Sequence, residues 1–189
     1  MHNFARLVRR FFGRRDGLAA VEFAFIAPIM VVLFFGVVEG SAALSANRKV
    51  ILSANTLSDL VAQETSVTTD ALDDLFVGME DIIDSRDIDA TFTVISVYYD
   101  TTFDLVRVHW SYDSTGATPF AAGSLYHGDL DTSILDDTSS VIIGEADYNY
   151  VSSITQKIIG PLTLSKMSAR WPRRSNKVQL CNSVGVCTH

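Results

Sequence analysis

The stretch that decides the architecture is Arg14–Val38, RRDGLAAVEFAFIAPIMVVLFFGVV. Its last twenty-one residues, Leu18–Val38, carry one charge, Glu22. A helix rises about 1.5 Å per residue, so this run spans roughly 30 Å, the thickness of a bilayer's hydrocarbon core. The rival reading is a cleaved secretory signal, whose apolar region is only about 7–15 residues and ends in small residues. This run is longer, and Ser41, Ala42 and Ala43 offer a weak cleavage site. A retained transmembrane helix over residues 18–39 is the expectation.

Charge on either side of the run sets its orientation. Arg6, Arg9, Arg10, Arg14 and Arg15 precede it, against Asp16, whereas Arg48 and Lys49 follow it, offset by Glu39. The positive-inside bias then keeps residues 1–17 in the cytoplasm as a basic leader. It sends the chain from about residue 40 across the inner membrane of a bacterium into the periplasm. Residues 50–150 hold nineteen acids against Arg86 and Arg107, while residues 151–189 hold six bases and no acid. A body this acidic repels phosphate backbones, so no nucleic-acid partner is expected, and inner-membrane lipid is the first partner. Hydrophobic residues make up 48% of the chain, too many for a disordered one.

Beyond the bilayer, Val50, Ala54, Leu57 and Val61 recur at helical spacing. With no Gly between Ser41 and Val77, one helix is expected from Leu18 to about Gln63, residues 40–68 forming a helical stalk. Pro28 should kink the helix within the membrane. Thr69 or Asp70 is expected to cap a second, amphipathic helix whose Leu72, Leu75, Phe76, Met79, Ile82 and Ile83 share one face. Strands follow: Thr91–Tyr99, Leu105–Tyr112, Val141–Val151 and Leu162–Trp171. In the second of them Val106, Val108, Trp110 and Tyr112 alternate with Arg107, His109 and Ser111, which predicts one buried face. Residues 114–140 read as a long loop or short helix. The fold class is α+β: a long N-terminal transmembrane helix, a short amphipathic helix and about four antiparallel strands, pilin-like, with residues 69–175 as the exported domain.

Cys181 and Cys187 lie in the tail, residues 176–189. Outside a reducing cytosol such a pair reads as a disulfide. A metal site would need more ligands than these two and His189. Asp129, Asp131 and Ser133 begin like a Ca²⁺ loop, but Ile134 and Ser140 stand where the loop needs Gly and Glu. Weak Ca²⁺ binding by Asp129, Asp131, Asp136 and Asp137 stays open. The carboxylates of Asp81, Asp84, Asp87 and Asp89 read as a solvated face. His109 and Ser111 share a strand side without an orienting carboxylate, and no hydrolase, zinc, P-loop or dinucleotide motif is present. The sequence therefore predicts neither an enzyme nor a cofactor.

Gly17, Leu18, Glu22 and Phe23 form the one motif with a specific meaning. A basic leader ending in Gly, then an apolar helix with Glu at its fifth residue, resembles the type IV prepilin signal, which a membrane peptidase cuts after the Gly. Three stretches extend the likeness: RRDGLAAVEFAFIAP (14–28), NRKVILSANTLSDLVAQ (47–63), and GEADYNYV with PLTLSKMSARWPRR before the cysteines. Together they resemble the TadE-like family of tight-adherence (Flp-type) pilus assembly proteins; Glu22-Phe23 stands where that family uses Glu-Tyr. The resemblance implies a minor pseudopilin-like, membrane-anchored subunit for pilus assembly, surface adhesion or biofilm. Its partners would be other pilus subunits, the pilus machinery and a prepilin peptidase. The alternative is a membrane-anchored periplasmic binding or structural envelope protein unrelated to pili.

Overall fold

Six successive residues of one strand, Phe92–Val97, are buried, which requires a sheet covered on both faces. The computed structural model describes residues 17–83, 90–128, 130, 135, 138–152 and 160–187. The chain divides into two units, Met1–Ala42 and Ala43–His189. Its elements are α1 (Leu18–Ala62), β1 (Ser66–Thr68), α2 (Thr69–Ile83), β2 (Ala90–Asp100), β3 (Leu105–Asp113), β4 (Ser140–Tyr150), β5 (Leu162–Arg170) and β6 (Gln179–Cys181). The fold is α+β, with the long apolar helix, the short helix and the four-stranded antiparallel sheet that the sequence predicts.

The sheet order is β3-β2-β4-β5. One face packs against the helices. Phe92 and Val94 of β2, Trp110 and Tyr112 of β3, and Ile142, Ala146 and Tyr148 of β4 meet Val50, Ala54, Leu57 and Val61 of α1 and Leu72, Phe76, Met79 and Ile83 of α2. The other face buries Ile95, Val97, Val108, Val141 and Ile143 under Tyr126, with Phe120, Leu130 and Leu135 partly buried there. The loop after β3 is thus the cover of the second face. It also closes the β3 edge, where Val108 N donates to Ser124 O at 2.9 Å and Tyr126 N to Val106 O at 2.9 Å.

That arrangement corrects the single buried face expected of β3. Ser96 pairs with Trp110 but Val97 pairs with Val108, so His109 is an extra residue without a partner. A bulge of this kind reverses the side-chain alternation. Val106 and Val108 consequently face the loop, and Trp110 and Tyr112 face the helices.

Three further expectations shift. The helix ends at Ala62, within a residue of the expected end, but Thr68 rather than Thr69 or Asp70 caps α2, its Oγ1 accepting from Ala71 N at 3.2 Å. Residues 46–62 do not stand apart as a stalk, because eight of them are buried in the unit beginning at Ala43. The tail is likewise built in. Val178 is fully buried, Trp110 Nε1 donates to its carbonyl at 2.8 Å, and β6 pairs in parallel with β1, placing Val67 opposite Leu180. Neither short strand carries enough alternation to be read from sequence.

Candidate functional site

Helix α1 begins at Leu18, directly after Gly17. Leu18 and Glu22 lie four residues apart, one turn, and so share a side of the helix. Leu18 is 61% and Phe23 68% exposed, and Glu22 is exposed too. Among the described residues, a Cβ added at Gly17 would meet nothing within 4 Å beyond its chain neighbours. The apolar part of α1 shows Phe25, Ile29, Val32, Leu33, Phe34 and Val37 to its surroundings, all more than half exposed. An apolar stretch with no share buried in the protein, and long enough to cross a membrane, is the main feature of this unit. The five leader arginines and Asp16 lie outside the described residues.

In the second unit the cysteine pair is joined, Cys181–Cys187. Cys181 is buried at the end of β6, and the bridge closes a loop with its own hydrogen bonds. Asn182 Oδ1 accepts from Val184 N at 3.1 Å and from Val186 N at 2.9 Å, and Asn182 N donates to Val186 O at 2.9 Å. Gly185 has φ of 84°, a conformation in which a Cβ is strained. The valines are left outside: Val184 is 84% and Val186 68% exposed.

The other polar residues flagged by sequence do not converge. The bulge turns His109 away from Ser111; its Nδ1 lies 3.4 Å from Ser96 Oγ, and Ser96 is fully buried. Burial, and then the positive charge of Lys177, lower the His109 pKa, which favours the neutral ring. Ser111 Oγ instead bonds the backbone of Phe120, donating to its carbonyl and accepting from its amide, both at 2.9 Å. Arg107 pairs with Asp100 at 2.8 Å. Among the described residues no group of three His, Cys, Asp or Glu is placed to hold a metal ion. Asp129, Asp131, Asp136, Asp137, Asp84, Asp87, Asp89 and His189 lie outside the described residues, and Asp81 is exposed.

Two features escaped the sequence reading. Asn55 of α1 reaches edge strand β5: its Oδ1 accepts from Ser168 Oγ at 2.8 Å and from Arg170 Nη2 at 3.1 Å. A polar residue beside the apolar helical stripe was the available signal. The second is a groove of about 510 Å³ where α1, β1 and α2 meet, lined by Leu60, Val61, Val67, Ala71 and Leu75 with Glu64 and Asp74 among its polar residues. No sequence motif marks it.

No curated protein and no solved structure matches the chain. A family model does match, across the start of α1 and on to Thr56; its description is TadE-like protein, and it is residues 17–56 of this chain that are similar to that family.

Proposed function

We propose that this protein is a membrane-anchored, minor pseudopilin-like subunit of a tight-adherence pilus system and that it acts by assembly, without turnover. The observation that carries the reading is the TadE-like match beginning at Gly17, where the apolar helix begins. In this reading α1 anchors the chain once in the inner membrane. The arginine excess holds its N-terminus in the cytoplasm, and the Ala43–His189 unit stands in the periplasm. A prepilin peptidase cuts after Gly17, removing all five leader arginines and creating an ammonium on Leu18. Glu22, one turn along, gives that ammonium or a neighbour's a carboxylate partner in a medium where an unpaired charge is costly.

N-terminal sequencing of the protein from cells with and without the peptidase tests this. The expected mature chain begins at Leu18, Gly17→Val leaves the leader on, and Glu22→Ala is inserted but gives cells with fewer pili and weaker surface attachment. Cleavage near Ser41–Ala43 would make the apolar run a signal peptide, and normal piliation in a deletion strain would remove the assembly role.

A further inference from the structure

The two edges of the sheet differ. Strand β3 is bulged at His109, and its outer side is bonded to the covering loop, Val108 N to Ser124 O and Tyr126 N to Val106 O. Strand β5, the other edge, pairs with β4 through nine consecutive residues, Leu162–Arg170, without a shift of register. It contains no Gly or Pro, and among the described residues no backbone hydrogen bond reaches its outer side. Alternate residues of an edge strand turn both N–H and C=O outward, so β5 offers a straight row of open donors and acceptors to another extended chain.

Side chains narrow the choice of that chain. Leu164 packs against the helix-side core, and Ser168 and Arg170 bond Asn55 of α1, so Lys166 shares that side of the sheet. The β4 residues opposite Lys166 and Arg170 are Ala146 and Ile142, and among the described residues neither cation has an acidic partner. The acids of β4, Glu145 and Asp147, stand on the opposite face, the one covered by Tyr126. A carboxylate opposite either cation must therefore come from a strand on the outer side of β5.

We propose that β5 is a strand-addition site for an extended acidic segment of a partner protein, which sets two carboxylates four residues apart opposite Lys166 and Arg170. The spacing follows from the sheet, since side chains on one face repeat every second residue and the two cations are four apart. On the other face the added strand meets Met167, which is 40% exposed, so an apolar residue beside the first acid fits there. Backbone bonds supply the affinity, and the two charge pairs supply the selectivity. A second copy's β5 is the wrong occupant, because it brings the same cations and no acid. The site stands on the open edge and its charge, and so is independent of the pilus reading.

The test uses the full chain in detergent micelles and a synthetic peptide of the same nine-residue length as β5. The peptide alternates threonine with valine and carries glutamate at two threonine positions four residues apart. It should slow amide exchange at every second residue of 162–170, the outward ones, and leave β2 and β4 unchanged. Replacing both glutamates by lysine should weaken binding about tenfold, the effect of turning two cross-strand charge pairs repulsive. N-methylation of the peptide amides that face β5 should abolish binding. Lys166→Glu should prefer a peptide in which one glutamate is lysine, a gain that a misfolded chain could not show. No binding at millimolar peptide, equal binding by the lysine peptide, or binding that survives N-methylation would each overturn the site. Protection of the outward β5 amides that rises with protein concentration in the absence of peptide would also overturn it, and would give the edge to a second copy.

Discussion

Gly144 of β4 lies against Ala54 of α1 so closely that a Cβ there would sit 2.8 Å from the Ala54 carbonyl oxygen and 2.9 Å from Ser58 N. The helix meets the sheet through small residues, Ser53, Ala54 and Ser58, each nearly or fully buried. Both partners in the close contact are backbone, so neither can yield by changing rotamer. Gly144→Ala should push α1 off the sheet and destabilise the body by about 1–3 kcal/mol, the range for overpacked cores. Urea unfolding of the full chain in micelles, followed by Trp110 and Trp171 fluorescence, measures it. An unchanged midpoint would mean that the helix packs less closely than this.

Asn55 is the polar counterpart of that contact. Its Nδ2 donates to Ile51 O at 2.8 Å, while its Oδ1 holds Ser168 and Arg170 of the edge strand. Asn55→Ala removes the shared acceptor and leaves the buried Ser168 hydroxyl and the partly buried Arg170 guanidinium without it. A loss of about 1–3 kcal/mol is expected. The loss should be concentrated in β5, read as faster amide exchange at 163–169 with β2 and β3 still protected. Equal acceleration in all four strands would contradict an edge-specific role.

These two residues show where the sequence was legible and where it was not. Val50, Ala54, Leu57 and Val61 announce a buried helical stripe by spacing alone, and all four are buried. The apolar anchor is equally plain, since composition over a bilayer-length run needs no tertiary context. Gly144 inside a strand is a signal of close approach that the sequence reading did not use, and it does not say which element approaches. The face assignment of β3 failed at His109, because a bulge is set by pairing with β2 and leaves no mark in the alternation of β3 itself. Cys181 and Cys187 could be paired from the residues, whereas the burial of Val178 and Leu180 depends on partners far earlier in the chain, Trp110 and Val67.

Glu145 should make stability fall as pH rises through a defined window. It projects from β4 toward the covering loop, where Tyr126 OH donates to its Oε1 at 3.5 Å. Burial raises its pKa above the ordinary carboxylate range and Asp147 adds to the rise, while the Tyr126 hydrogen bond works against it. The folded chain therefore keeps this proton to a higher pH than the unfolded chain, and stability declines between the ordinary carboxylate value and the raised one. Glu145→Gln should flatten that decline and leave stability at pH 7 equal or higher. Asp113 acts oppositely. Burial works against its charge, but bonds from Thr115 Oγ1, Ala117 N and Thr115 N outweigh it, so its contribution is lost only in stronger acid. Parallel pH curves for the parent and Glu145→Gln would refute the assignment.

Breaking the Cys181–Cys187 bridge should loosen β6 without unfolding the sheet. The closed loop is short, so the chain-entropy gain is at most about 2–3 kcal/mol, and it acts on one end of β6. The other end is held independently, by Trp110 Nε1 on the Val178 carbonyl and by Ser140 N on the Asn176 carbonyl at 2.9 Å. Cys187→Ser together with Cys181→Ser should therefore speed amide exchange in 66–68 and 179–181, the parallel pair, while β2 and β4 keep their protection. The second anchor can be removed separately: Trp110→Phe deletes the indole donor and leaves the buried Val178 carbonyl unsatisfied, at about 1–3 kcal/mol. Because both devices fix the same strand, their combined effect should depart from the sum of the two, and a double-mutant cycle reads that coupling. Strict additivity, or loss of protection across the whole sheet in the cysteine variant, would show that the tail is not held at two points.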